Sequence, residues 1–143
     1  MKLKDQSLFR QQAYIDGAWA DADSKASFPV RNPADNSPLG TVPDMGAAET
    51  KRAIKAAEAA FPAWSRCPAK ERTQILRKWF NLMMANQEDL AVLMTAEQGK
   101  PMAESRGEVA YGASFVEFYA EEARRIYGDT VPTPANDRRI MVV

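Results

Sequence analysis

The sequence predicts a mostly α-helical chain with a small β unit at its start and a short strand at its end. Three observations carry this. Apolar spacing changes from a period of two to about 3.6 near Ala47. Cap and breaker residues then divide the middle into four helical stretches. Ile140-Met141-Val142-Val143 finally returns to β-type composition.

Met1 to Gln12 is polar and reads as a short helix or a frayed lead-in, with Leu3, Leu8 and Phe9 to grip a core. In Tyr14-Ile15-Asp16-Gly17-Ala18-Trp19, Asp-Gly between apolar flanks favours a two-residue hairpin turn, because both residues tolerate positive φ. Ala20 to Ala26 is a polar loop. Ser27 to Arg31 is extended, with Pro29 keeping it at an edge. Asn32-Pro33-Ala34-Asp35-Asn36 is a turn, and Leu39 to Val42 returns as a strand.

Gly46 is placed to cap the first helix, with Glu49 in its dipole-favoured first turn. Ala53, Ile54, Ala57, Ala60, Phe61 and Trp64 form one face, whose alanines predict close packing on a neighbour. Pro62 is expected to disrupt the last turn. Ser65 to Cys67 connects to a second helix, opened by Pro68, with Ile75, Leu76, Trp79, Phe80, Leu82 and Met83 inside. Lys70, Glu71, Arg72, Arg77 and Lys78 are expected outside. Asn86 breaks that helix, and Glu88 and Asp89 start a third.

Glu97-Gln98-Gly99-Lys100-Pro101 reads as a sharp corner between helices. Gly99 takes the left-handed conformation that ends one, and Pro101 is pre-set for the first turn of the next. The fourth helix is expected to run to Tyr127, closed by Gly128. Val109, Gly112, Ala113, Val116, Tyr119, Ala120, Ala123 and Ile126 make a stripe that needs a large partner surface. Pro132 and Pro134 force extended backbone, Asn136-Asp137 turns, and the apolar end reads as a strand cut short and unpaired.

Composition narrows the function. The chain has 143 residues, enough for a real core, and its 19 basic and 19 acidic side chains cancel. That balance speaks against nucleic-acid and membrane-surface binding. No apolar run is long enough to span a bilayer. A single cysteine, Cys67, rules out an internal disulfide and fits a reducing compartment such as the cytoplasm. The absence of histidine removes the commonest general base and zinc ligand.

Together, the Tyr14–Trp19 hairpin, Asn32-Pro33-Ala34, the alanine-rich helix ending in Phe61 and Trp64, Lys70-Glu71-Arg72, and Glu97-Gln98-Gly99-Lys100-Pro101 with Glu104 resemble the N-terminal portion of the aldehyde dehydrogenase superfamily. Leu8 to Gln12, Arg77 to Met84 and Glu121 to Pro132 most resemble its succinate-semialdehyde members. Ser65-Cys67-Pro68 departs from the usual pattern.

The resemblance implies an α/β parent with a Rossmann-type cofactor domain, a catalytic domain and an oligomerisation arm. It implies NAD(P)-dependent oxidation of an aldehyde, in the first instance succinate semialdehyde, through a cysteine thioester that water hydrolyses. Residues 1–45 would be the lead-in and hairpin unit, 46–128 the helical part of the cofactor domain, and 129–143 the start of the arm. The family's nucleophile, general base, oxyanion asparagine and cofactor contacts match no position here. The chain alone is therefore expected to be a catalytically silent fragment that binds no cofactor. Its expected partners are the rest of the dehydrogenase and further copies of it. A second reading is a free-standing helical binding or assembly module.

By the same resemblance, Glu97 and the backbone carbonyl of Arg31 are candidate ligands for a monovalent cation. Tyr111 and Phe115, one helical turn apart, are candidate walls of a substrate tunnel; the competing reading makes them core aromatics. Lys100 lacks a P-loop context and reads as a solvated lysine. Cys67 reads as an ordinary small residue, with Arg66 and Lys70 placed to lower its pKa somewhat. Arg124-Arg125 and Arg138-Arg139 read as a solvated face balanced by Glu117, Glu121, Glu122 and Asp137.

Overall fold

The computed structural model describes residues 1–143. The Asp-Gly signal forms its hairpin: β1 (Ala13–Ile15) pairs antiparallel with β2 (Ala18–Ala20), and Tyr14 faces Trp19. Asp16 and Gly17 have φ of 51° and 79°, as a turn with two left-handed residues requires. Tyr14 and Trp19 meet edge to face at 5.1 Å, and the Arg10 guanidinium lies over Trp19.

β3 (Ser27–Arg31) pairs antiparallel with β4 (Pro38–Pro43), with a register shift between Val30 and Arg31. The Asn32–Asn36 turn forms between them. Asn32 Oδ1 accepts the Ala34 N–H at 3.0 Å, and the Asn32 carbonyl accepts the Asn36 N–H at 2.8 Å.

The helices are α1 (Ala47–Arg66), α2 (Ala69–Ala85), α3 (Gln87–Gln98) and α4 (Met102–Glu122). Pro68 and Pro101 stand at the N-cap with extended ψ, one residue before the helical turn expected of Pro101. Pro62 does not end α1, which continues to Arg66. Near a C-terminus only one intrahelical bond is lost, and the remaining turns carry the helix through. The close packing predicted for α1 is not found within this chain. Ile54, Phe61 and Trp64 are exposed, and only Ala53 and Ala56 are half-covered.

The core lies where α4 packs on α2 and α3. Ala91, Val109, Ala113 and Ala120 are buried there, together with Ser105. Small side chains allow close helix approach. The Thr73 hydroxyl donates to the Ala120 carbonyl at 2.9 Å, fastening α2 to α4. Arg77, expected outside, instead reaches across from α2 to α4, donating to Glu117 at 2.6 Å and Glu121 at 3.1 Å. The predicted inner face of α2 splits. Leu76, Phe80 and Met83 are half-buried, while Ile75, Trp79 and Leu82 face outward.

Two expectations about the last third are corrected. α4 ends at Glu122 rather than Tyr127, leaving Ile126 and Tyr127 exposed in irregular backbone before Gly128. With no surface to bury there, the stripe gains nothing by extending. The terminal strand is not unpaired either. β5 (Asp129–Val131) pairs antiparallel with β6 (Ile140–Val142), joined through the Asn136-Asp137 turn. Pairing satisfies the backbone groups on one edge of β6, but its apolar side chains stay exposed.

Candidate functional site

The Glu97–Pro101 corner gathers three parts of the chain. Gly99 adopts φ 78°, and its N–H closes α3 on the Thr95 carbonyl at 2.8 Å. The Asn32–Asn36 turn packs on it through Pro33. Beyond the corner, Ser105 is fully buried and shares a 2.8 Å hydrogen bond with Thr95, locking the start of α4 to the end of α3. Gln87 donates to the Arg106 carbonyl at 3.0 Å, and Arg106 grips Glu88 with two bonds of 2.8 Å.

Glu97 is exposed on α3 but borders a small cavity with Phe9, Gln11, Val30, Gly40 and Thr41. The lead-in closes one side of it: Gln11 Oε1 accepts the Thr41 N–H at 2.8 Å. Glu97 thus shares this cavity with Val30, one residue before Arg31, while Arg31 is not part of the cavity wall. The Arg31 guanidinium donates to the Asn36 carbonyl at 3.0 Å. No three His, Cys, Asp or Glu residues gather anywhere in the chain. A cation beside Glu97 would therefore draw on one carboxylate and main-chain oxygens, a set that suits a hard monovalent ion.

Tyr111 and Phe115 meet edge to face at 4.8 Å on α4. They are not core aromatics of this chain, being 67% and 47% exposed. Phe118 and Tyr119 extend the same exposed aromatic band.

Lys100 is not solvated: its side chain is only 18% exposed, and its ammonium pairs with Glu108. Cys67 also departs from expectation. Partial burial, then a 3.4 Å contact with the Glu71 carboxylate, pushes its thiol pKa up; Arg72 opposes this only weakly. That depletes the thiolate a nucleophile needs. The arginine runs are balanced more locally than expected. Arg125 pairs with Glu122, and Arg138 grips Asp137 with two bonds of 2.9 and 2.8 Å. Glu117 and Glu121 belong to Arg77.

Sequence reasoning missed two buried carboxylates, Glu49 and Asp89. Glu49 accepts the Gly46 and Asp23 N–H groups, both at 3.0 Å, and these bonds hold its pKa below the usual glutamate range. Beside it, Arg52 grips Asp23 at 2.7 and 2.8 Å. Asp89 accepts the N–H groups of Lys4 and Asp5 at 3.0 and 2.8 Å. The only forewarning was an acid in a first helical turn.

None of the helix starts offers the glycine-rich phosphate cradle of a dinucleotide-binding turn. The helices open at Gly46, Pro68, Asn86 and Pro101, and no glycine-rich turn precedes any of them. No helix is long and apolar enough to cross a membrane.

Comparison with known proteins agrees with the architecture. The description "Aldehyde dehydrogenase family" matches residues 19–143. The chain is 61% identical over 143 residues to a glutarate-semialdehyde dehydrogenase of Pseudomonas aeruginosa, covering all of this chain and 30% of that protein. It is 58% identical over 143 residues to the NADP-type succinate-semialdehyde dehydrogenase of Escherichia coli, again covering 30% of it. The crystal structure of a succinate-semialdehyde dehydrogenase from Burkholderia pseudomallei superposes with a TM-score of 0.92 at 58% identity, over 100% of this chain and 30% of that one. The chain thus spans about 30% of the length of the relatives it matches. Across that span, sequence and backbone agree: the chain belongs to the aldehyde dehydrogenase family.

Proposed function

We propose that this chain is the N-terminal portion of an NAD(P)-dependent dehydrogenase that oxidises a short semialdehyde to the acid. The observation that carries this is the end-to-end match, at 58–61% identity, to semialdehyde dehydrogenases. Those relatives are named for succinate or glutarate semialdehyde, and a further one for 3-sulfolactaldehyde. All three substrates are aldehydes carrying an anionic group. Succinate semialdehyde is the first substrate to test, glutarate semialdehyde the second.

In this reading the parent supplies the cysteine nucleophile and binds NAD or NADP through residues outside the matched stretch. The chain's own task is structural. Its lead-in, β3–β4 and the Gly99 corner hold α4 rigidly, and α4 presents Tyr111 and Phe115 to the substrate path. Glu97, with the Arg31 carbonyl, is the proposed place for a monovalent cation. The β5–β6 hairpin begins the arm through which copies assemble. The unpaired Cys67 thiol supports a cytoplasmic protein.

The test has two arms. The chain alone, with succinate semialdehyde and NADP, should give no cofactor reduction above a blank. The longer gene product should reduce cofactor, with higher kcat/KM for anionic semialdehydes than for neutral aldehydes of equal length. Turnover by the chain alone, or no preference for the anionic substrate, sinks the proposal.

A further inference from the structure

Lys100 is covered more than its stability role explains. Its side chain is only 18% exposed, although a lysine ammonium is strongly hydrated and seldom covered. Gly99, at φ 78°, and Pro101 fix the backbone on either side of it. From this corner its ammonium pairs with Glu108 on α4, whose side chain is 55% exposed. An ion pair with one partner so exposed adds little to stability. Its larger effect is to cancel a charge at a fixed place.

That place is the stripe of α4 that carries the exposed aromatic pair. Glu108, Tyr111 and Phe115 stand at i, i+3 and i+7, and all three are exposed. Glu108 and Tyr111 are about 4.5 Å apart along the helix axis. Glu104 lies on the same stripe, but about 10 Å from Tyr111, where screening removes most of its field. Glu117 pairs with Arg77, and Glu122 with Arg125. Glu108 is therefore the acid on this stripe whose charge bears most on Tyr111, and Lys100 is the cation that cancels it.

We propose that Lys100 is a positioning residue that makes this stripe tolerant of an anion: by neutralising Glu108 it lets an aldehyde with an anionic end pass Tyr111 and Phe115. The inference rests on the proposed function, which puts the stripe on the substrate path. Lys100 acts through Glu108 and has no part in the chemistry.

The test uses the longer gene product, with succinate semialdehyde and a neutral aldehyde of equal length. It compares the parent sequence with Lys100→Met, Glu108→Gln and the double variant. Met keeps much of the apolar stem of lysine and removes its charge. In Lys100→Met, kcat/KM for succinate semialdehyde should fall about tenfold at low salt, the size expected of one like charge about 10 Å away at an effective dielectric near 20. The loss should lie in KM, and it should shrink at about 1 M salt, where screening acts over about 3 Å. Oxidation of the neutral aldehyde should change little. The double variant should recover the parent's kcat/KM for the anion, because the charge to be cancelled is gone.

An equal loss for both substrates, a loss that salt leaves unchanged, no recovery in the double variant, or no loss at all each overturn the inference and leave the dehydrogenase reading in place. Should Lys100→Met fail to fold, Glu108→Gln still decides: kcat/KM for the anion should hold or rise, and a fall overturns the inference. A longer product that oxidises neither aldehyde sinks the dehydrogenase reading, and the inference falls with it.

Discussion

Pro33 closes on Gly99: a β-carbon placed on Gly99 would stand 2.8 Å from the Pro33 Cγ. The contact joins the β3–β4 turn to the corner that launches α4. Gly99 also holds φ 78°, a conformation costly to other residues. Gly99→Ala should therefore lose about 1–2 kcal/mol to backbone strain alone, and more to the clash. In thermal melts, adding Pro33→Ala should recover the clash but not the strain. Full recovery would show that φ at this corner is free to change.

The start of the chain hangs on Asp89. Its carboxylate takes the N–H groups of Lys4 and Asp5 and keeps Leu3 buried at 6% exposure. Asp89→Ala should free the lead-in, read as lost hydrogen-exchange protection at Lys4 and Asp5. Protection deep in α4 should change little, because local opening need not spread to the core. Retained protection at Lys4 and Asp5 contradicts this role.

Two positions on α4 should separate stability from function. Ala113 is fully buried between helices, so Ala113→Leu should overpack the core and cost about 1–3 kcal/mol in a denaturant titration. Tyr111 is exposed, and Tyr111→Ala should stay within about 0.5 kcal/mol of the parent sequence. Under the proposed function, Phe115→Ala in the longer gene product should raise KM for the semialdehyde more than it lowers kcat; an unchanged KM would remove Phe115 from the proposed substrate path.

Acid should loosen the tie between α1 and the preceding loop. The Asp23 and Gly46 N–H groups hold the Glu49 pKa down, and Arg52 holds that of Asp23 down. A carboxyl whose folded pKa is depressed contributes stability above its unfolded pKa, about 4 for these groups. That contribution is lost as pH falls through the lower, folded value. Tm should be level near neutrality and fall below about pH 4. Glu49→Gln should be less stable near neutrality and lose less on acidification, measured by melts across pH.

Cys67 should alkylate slowly. Burial and Glu71 raise its pKa, so little thiolate exists near neutral pH. Iodoacetamide should modify it more slowly than a free cysteine, and Glu71→Gln should speed the reaction. A rate above that of free cysteine would mean that Arg66, Lys70 or Arg72 governs the thiol after all.

Much of the fold was legible because its signals are local. Asp16-Gly17 specifies a turn through two residues' φ preferences, and Gly99 a helix end through one. Ser27 to Arg31 and the α2–α3 break at Asn86 fall where pattern and breaker place them. Helix ends were less legible. Nothing between Ala123 and Tyr127 forbids helix, and α4 stops only because no surface rewards its continuation. The candidate site was legible only as a list. Glu97, Arg31, Tyr111 and Phe115 were named by resemblance, while the surroundings of Lys100, Cys67 and Arg72 lie in distant sequence.

By itself, the sequence determined where the chain turns, which stretches are helical, and which family it resembles. These follow from backbone preferences and apolar period, which act over a few residues. Only the tertiary structure decided which groups meet. Asp89 reaches Lys4 and Asp5, Arg77 spans to Glu117 and Glu121, β6 finds β5, and Pro33 seals Gly99. Such pairs carry no local signature, because each partner is an ordinary residue until packing removes water from between them.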